Sequence, residues 1–126
     1  MELCELKPVE RAIEIKHPST GDDLGITVTL VSMNDPRMSA IKRRIRIQRL
    51  EQERRGKAIN VDEVEKNEVD LLIGAITGWV WKGDTTFHGE KPECKAEKIQ
   101  EVFKELPWFK EQIAEALGDE KSFFQN

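Results

Sequence analysis

Two short alternating runs separated by a turn constrain this chain more than anything else in it. RAIEIKH, residues 11–17, sets Ile13 and Ile15 on one face and Glu14 and Lys16 on the other. LGITVTLV, residues 24–31, sets Ile26, Val28 and Leu30 opposite Thr27 and Thr29. Both follow the two-residue period of a half-buried strand. Between them PSTGDD supplies the proline, glycine and aspartate that close tight turns. The spacing predicts an antiparallel hairpin over residues 10–32. A lone hairpin is only marginally stable in water, so its apolar face must pack on another part of the chain.

The remainder, residues 35–126, reads as mostly helical. Asp35 can cap a first helix and Pro36 suits its first turn; it runs to about residue 55 and stops at Gly56. Met38, Ile41 and Ile45 form one short apolar stripe. Ile47 and Leu50 point elsewhere, beyond a basic collar of Lys42, Arg43, Arg44, Arg46 and Arg49. A surface helix normally has one apolar stripe, so two imply contact on both sides. Asn60 caps a second helix over about residues 61–78. Glu63 completes a capping box, and the helix dipole favours Asp62 and Glu63 in the first turn. Val61, Val64, Leu72, Ala75, Ile76 and Trp79 share a broad face, which predicts the main core helix. Its outer residues Glu65, Glu68 and Asp70 are natural partners for the collar.

Residues 80–92 are too polar and glycine-rich for helix and predict an irregular loop or small hairpin held down by Trp81 and Phe87. Pro92 lies near the start of a third helix, whose Ile99, Val102, Phe103 and Leu106 have burial spacing. Pro107 interrupts it, because proline lacks the amide and clashes with the preceding turn. A fourth helix carries Phe109, Ile113, Ala116 and Leu117 on one side and closes at Gly118. The expected fold is therefore α+β and mostly helical, an amino-terminal hairpin packed on three to four helices. At 126 residues, one domain is the expected organisation.

Charge is unevenly placed. Residues 35–57 hold nine basic and three acidic side chains, a net of +6, while residues 58–126 hold eight and fifteen, a net of −7. A basic centre beside an acidic remainder can bind nucleic acid, pair within its own fold or meet an acidic partner. The helix over residues 37–55 is the strongest nucleic-acid feature, but Ile47 and Leu50 interrupt its charge and nothing forms a turn-and-recognition-helix pair. Nucleic acid is thus the weaker reading, and Arg43, Arg46, Ile47 and Leu50 become candidates for a protein interface.

Little in the sequence points to catalysis, metal or a cofactor. Cys4, His17, His88 and Cys94 are suitable zinc ligands by type but lack the compact spacings that zinc sites use. There is no phosphate-binding glycine loop, and no carboxylate stands in a conspicuously apolar setting. The expectation is no enzyme, no cofactor and no metal. No run approaches the length of a bilayer span, and MELCELKPVE has no apolar signal core. With two cysteines, a reducing compartment is the simpler expectation.

All eight aromatic residues lie in the second half of the chain. Trp79, Trp81, Trp108, Phe123 and Phe124 are candidate anchors for a partner, a role to which aromatics are suited. Phe123 and Phe124, following Gly118 and Asp119, either fold back onto the domain or anchor a partner or second copy. On the interface reading, removing residues 119–126 weakens association more than folding.

The order EIKHPSTGDDLGITVTL, DPRMSAIKRRIRIQR, AITGW and LPWFKEQIAEALGDEKSFF resembles the small tail assembly chaperones of long-tailed bacteriophages and prophages. The likeness is spread over residues 11–124 in short phrases, none of them catalytic. It implies a non-enzymatic chaperone of the bacterial host cytoplasm that coats the helical tape-measure protein and helps recruit tail-tube subunits. It also implies release before the virion matures, and correspondence to the short form where a frameshift yields a longer one. Trp79, Pro107, Trp108, Gln112 and Phe123 are the positions the likeness singles out. A nucleic-acid-binding accessory protein and a head or tail completion protein retained in the virion are the alternatives.

Overall fold

The hairpin forms, and a third strand joins it. In the structure, a computed structural model that describes residues 2–6, 8–58 and 60–124, β1 (Arg11–Lys16) pairs antiparallel with β2 (Asp23–Leu30). The register sets Ile13 opposite Val28 and Ala12 opposite Thr29, so the apolar sets of both strands share a face. The turn is closed locally. His17 N–H donates to the Asp22 carbonyl (2.7 Å), and its Nδ1 accepts from the amides of Ser19 (3.0 Å) and Thr20 (3.2 Å). The histidine of the HPSTG phrase is therefore a turn-former: its ring satisfies amides that a tight loop would otherwise leave bare.

After β2 the chain crosses through two helices, α1 (Ser39–Arg54) and α2 (Val61–Ala75), before returning as β3 (Ile76–Trp81). Residues 76–78 therefore belong to a strand and not to the end of the second helix, and Trp79 is a strand residue. Ile76 and Trp79 fit the helical period after Leu72, but ITGWVW is also rich in β-branched and aromatic side chains. The free edge of β2 decides between the two periods. Ile26 meets Trp81 and Val28 meets Trp79 there, giving an antiparallel sheet in the order β1-β2-β3. Val31 N–H donates to the Ala75 carbonyl (2.9 Å), joining the end of β2 to the point where helix becomes strand.

The helix starts are set locally. The Asp35 carboxylate accepts from Arg37 N–H (2.9 Å) and from Arg37 Nε (3.0 Å), opening a 3-10 turn that leads into α1. Arg37 also reaches Glu10 (2.7 Å). Hydrogen bonds from the Arg37 side chain and amide hold the Asp35 carboxyl below the usual carboxylate range. Asn60 Oδ1 accepts from the amides of Asp62 (2.9 Å) and Glu63 (3.4 Å), capping α2. The Glu63 carboxylate accepts from Gln52 Nε2, linking α2 to α1. Beyond β3, Phe87 and Glu90 pair across a two-residue turn within the predicted loop. α3 (Ala96–Glu105) and α4 (Pro107–Gly118) follow, with Pro107 as the first residue of α4, where its missing amide costs nothing.

The core lies between one face of the sheet and α3 and α4. Ile15, Val28 and Leu30 from the sheet meet Val102, Phe109 and Ile113 from the helices, all fully buried. Phe109 is central: its ring lies 6.2 Å from Trp79, 6.3 Å from Trp81 and 6.3 Å from Phe103.

Gly25 marks the tightest backbone approach in the sheet. Its φ is +79°, its carbonyl accepts from Lys82 N–H (2.7 Å), and a Cβ there would stand 2.9 Å from the Lys82 carbonyl oxygen. Gly21 has a similar φ of +75° but open space around it. Gly25→Ala is therefore expected to cost about 1–3 kcal/mol, and more than Gly21→Ala. Urea denaturation of the two variants checks the order, and equal midpoints would refute the close approach.

Candidate functional site

α1 stands apart from the other α-helices in its burial. Its sixteen residues include no buried one, although Met38, just before it, is fully buried. Ile41 and Ile45 are half-buried and mark the side turned to α2. The two helices come close because α2 has glycine at 74, where any Cβ would run into Ile41 Cδ1. At about 100° per residue, Ile47 and Leu50 lie nearly opposite that side. They are 51% and 57% exposed. Arg43, Arg46 and Arg54 are exposed and lie on the same side of the helix. The four candidates Arg43, Arg46, Ile47 and Leu50 thus come together as one surface: two aliphatic side chains bracketed by guanidinium groups.

Part of the basic collar is used inside the fold. Arg44 pairs with Asp70 (3.2 Å), Lys42 Nζ donates to the Met33 carbonyl (3.1 Å) and Arg55 pairs with Glu51 (3.0 Å). Among the described residues, Arg43, Arg46, Arg49 and Arg54 form no ion pair. Of the expected acidic partners only Asp70 faces α1. Glu65 and Glu68 stand about 140–160° round α2 from it, out of reach of the collar.

α2 also corrects an expectation about the core. Val61 and Val64, expected on its buried face, are 67% and 45% exposed. Burial begins only toward the other end of the helix, at Leu72 and Ala75. Helical period assigned these valines a face, but among the described residues it is not filled: Val64 only borders an open groove with Gln48, Arg49, Gln52 and Glu53 of α1. With α1 it forms an arm holding four of the exposed large apolar residues: Ile47, Leu50, Val61 and Val64.

The aromatic candidates belong to the core instead. Trp81 is 7% exposed, and Trp79 and Trp108 are half-buried around Phe109. Trp79 Nε1 donates to the Pro92 carbonyl (2.9 Å). Gln112 closes a sheet edge. Its Oε1 accepts from Lys16 N–H and its Nε2 donates to Lys16 C=O, each at 2.8 Å, so one side-chain amide stands in for the next strand. Phe123 is fully buried and Phe124 is 40% exposed, so the two adjacent residues have different roles. The segment Glu120–Phe124 is tied down from several sides. The Phe123 carbonyl accepts from Val9 N–H (2.7 Å), Ser122 Oγ accepts from Arg11 Nη1 (2.8 Å), and Glu120 accepts from Ser32 Oγ and Asn34 Nδ2. Phe123 is therefore core and not a partner anchor, because the chain folds back and seats it.

The soft-ligand residues lie in separate settings. His17 serves its turn, and His88 Nε2 lies 2.7 Å from Glu105 Oε2. Cys4 and Cys94 are free and exposed as residues. The Cys94 sulfur is nonetheless partly desolvated, which pushes its thiol up against the opposing effect of the Trp79 amide. That shift disfavours the nucleophilic thiolate. Among the described residues no three His, Cys, Asp or Glu side chains are grouped as metal ligands. No described helix is long and apolar enough to cross a membrane.

Comparison with family models, with curated proteins and with solved structures returns no match. The geometry therefore defines the class by itself: an α+β domain with a buried core, carrying a helical arm whose apolar and basic residues are, among the described residues, exposed.

Proposed function

We propose that the chain is a non-enzymatic assembly chaperone of the kind its sequence resembles. It binds the tape-measure protein of a long-tailed bacteriophage in the host cytoplasm, helps bring in tail-tube subunits and leaves before the virion is complete. One observation carries this reading: α1 presents Ile47 and Leu50 between Arg43, Arg46 and Arg54, which form no ion pair among the described residues, while burying none of its own residues. An apolar strip at helical spacing suits a partner helix laid along it, and flanking guanidiniums favour an acidic one. Modest exposed patches also suit a client that must later be released.

Co-expression with the tape-measure protein is expected to yield a co-purifying complex. Burying a leucine side chain contributes about 1.5–3 kcal/mol, so Leu50→Glu is expected to weaken that complex about tenfold or more. Its circular dichroism should match the parent. A complex indifferent to Leu50→Glu, or none at all, refutes the reading.

The same arginines favour a second reading, nucleic-acid binding by α1. A gel shift whose affinity falls steeply with salt would support it. The aliphatic pair in the middle of the basic surface counts against it, since phosphates offer Ile47 and Leu50 nothing to pack on.

A further inference from the structure

Ahead of β1, Leu3, Leu6 and Val9 are 72%, 53% and 49% exposed. Residues 3–5 form a 3-10 turn, in which side chains three apart stand one above the other. Leu3 and Leu6 therefore make one row, and Glu2 and Glu5 the row beside it. None of residues 2–6 is buried, and among the described residues Glu2 and Glu5 form no ion pair. The chain leaves this turn at a fixed place. Val9 N–H donates to the Phe123 carbonyl (2.7 Å), and Glu10 pairs with Arg37 (2.7 Å) at the foot of α1. A groove of about 500 Å³ begins there, next to Asp35, and continues along α1 past Met33, Lys42, Arg43, Arg46 and Ile47. Asp35 is held by Arg37 and Lys42 by the Met33 carbonyl, so Arg43 and Arg46 supply its available charge. Residues 2–6 do not line this groove in the structure, which is its open form.

We propose that residues 2–6 are a strap that closes over this groove within the same chain. Leu6 and Leu3 meet Ile47 and Leu50, while Glu5 and Glu2 meet Arg43 and Arg46. The reach is sufficient. Extended from its tether at Glu10, the chain carries Leu6 about 14 Å, and the 3-10 turn carries Leu3 to about 20 Å. Ile47 and Leu50 lie about 15 and 20 Å along α1 from Arg37. The tether also holds the strap at a millimolar effective concentration, so a weak contact is enough to close it. Two rows of leucine and carboxylate thus match two rows of aliphatic side chain and guanidinium on a surface the tether already adjoins. Closure covers part of the surface assigned above to the client, so its effect on client binding rests on that reading: a client binds only by displacing Leu3 and Leu6. Closure itself does not rest on it.

A nitroxide on Cys4 of the full chain, with Cys94→Ser so that one thiol reacts, tests closure in the isolated protein. The amide signals of residues 43–50 are expected to lose at least about half their intensity, the occupancy a millimolar contact reaches at that effective concentration. The loss should be independent of protein concentration and recede at high salt, which screens the carboxylates from the arginines. Glu5→Lys combined with Leu6→Ser should restore the signals and leave the circular dichroism unchanged, since neither residue is buried. Full intensity at residues 43–50 overturns the proposal. So does a loss that grows with protein concentration, which is contact between copies, or one confined to residues 121–124 beside Val9. Deleting residues 2–8 keeps Val9 and Glu10, and is expected to tighten the complex with the tape-measure protein at least about twofold. Closure with an unchanged complex overturns the effect on the client. Signal loss at residues 43–50 with no complex from either chain upholds the strap and refutes the client instead.

Discussion

Phe123→Ala is expected to destabilise the fold by about 3–5 kcal/mol, the usual cost of emptying a buried phenylalanine site. Phe123 has no exposed area, and its carbonyl is held by Val9. Phe124→Ala, one residue on and 40% exposed, should change stability by less than about 0.5 kcal/mol. Denaturation midpoints of the two variants check the contrast, and similar values would mean that Phe123 is not seated as described. Removing residues 119–126, of which Gln125 and Asn126 lie outside the described residues, should therefore unfold the protein. It takes away Phe123 and the Glu120 bonds to Ser32 and Asn34 together. The expectation that this deletion acts mainly on association is reversed, because the segment it removes completes the core.

Phe109→Ala should cost a similar amount, about 3–5 kcal/mol, and change the tryptophan signal as well. The ring is fully buried and lies within 6.3 Å of both Trp79 and Trp81. Losing it leaves a cavity between β3 and the helices and removes edge-to-face and stacked contacts that add to the area term. For a domain stable by about 5–15 kcal/mol, that is a large share of the total. The checks are chemical denaturation and the tryptophan emission of the folded state. Emission should shift to the red as water gains access to Trp81. A folded variant with unchanged emission and midpoint would place the centre of the core elsewhere.

Much of the fold was legible in the sequence where short-range chemistry sets it. The hairpin was readable because Ile13, Ile15, Ile26, Val28 and Leu30 alternate with polar residues around a turn of proline, glycine and aspartate. Asp35, Asn60, Pro107 and Gly118 mark real helix ends, since caps and breaks depend on a few adjacent atoms. The third strand was not legible because ITGWVW satisfies both the helical and the strand period. Only the open edge of β2 selects the strand. The interface candidates divide in the same way. Arg43, Arg46, Ile47 and Leu50 could be grouped from helical period alone. The roles of Trp81, Gln112 and Phe123 depend on residues far along the chain: Ile26, Lys16 and Val9.

The charges show the same limit. Sequence places seven acidic residues between 51 and 70 close to the basic collar, but proximity along the chain does not say which carboxylate turns to which arginine. Helix packing through Gly74 brings Asp70 to Arg44 and turns Glu65 and Glu68 away.

By itself, then, the sequence determined the α+β class, the hairpin, the helix starts and the two-sided character of the basic helix. Each of these follows from periodicity and capping within a few residues. Tertiary structure alone decided that β3 completes the sheet, that Phe123 is core while Phe124 is surface, and that Val61 and Val64 stand bare. Burial depends on what lies opposite a side chain, and that is supplied by parts of the chain that local pattern does not see.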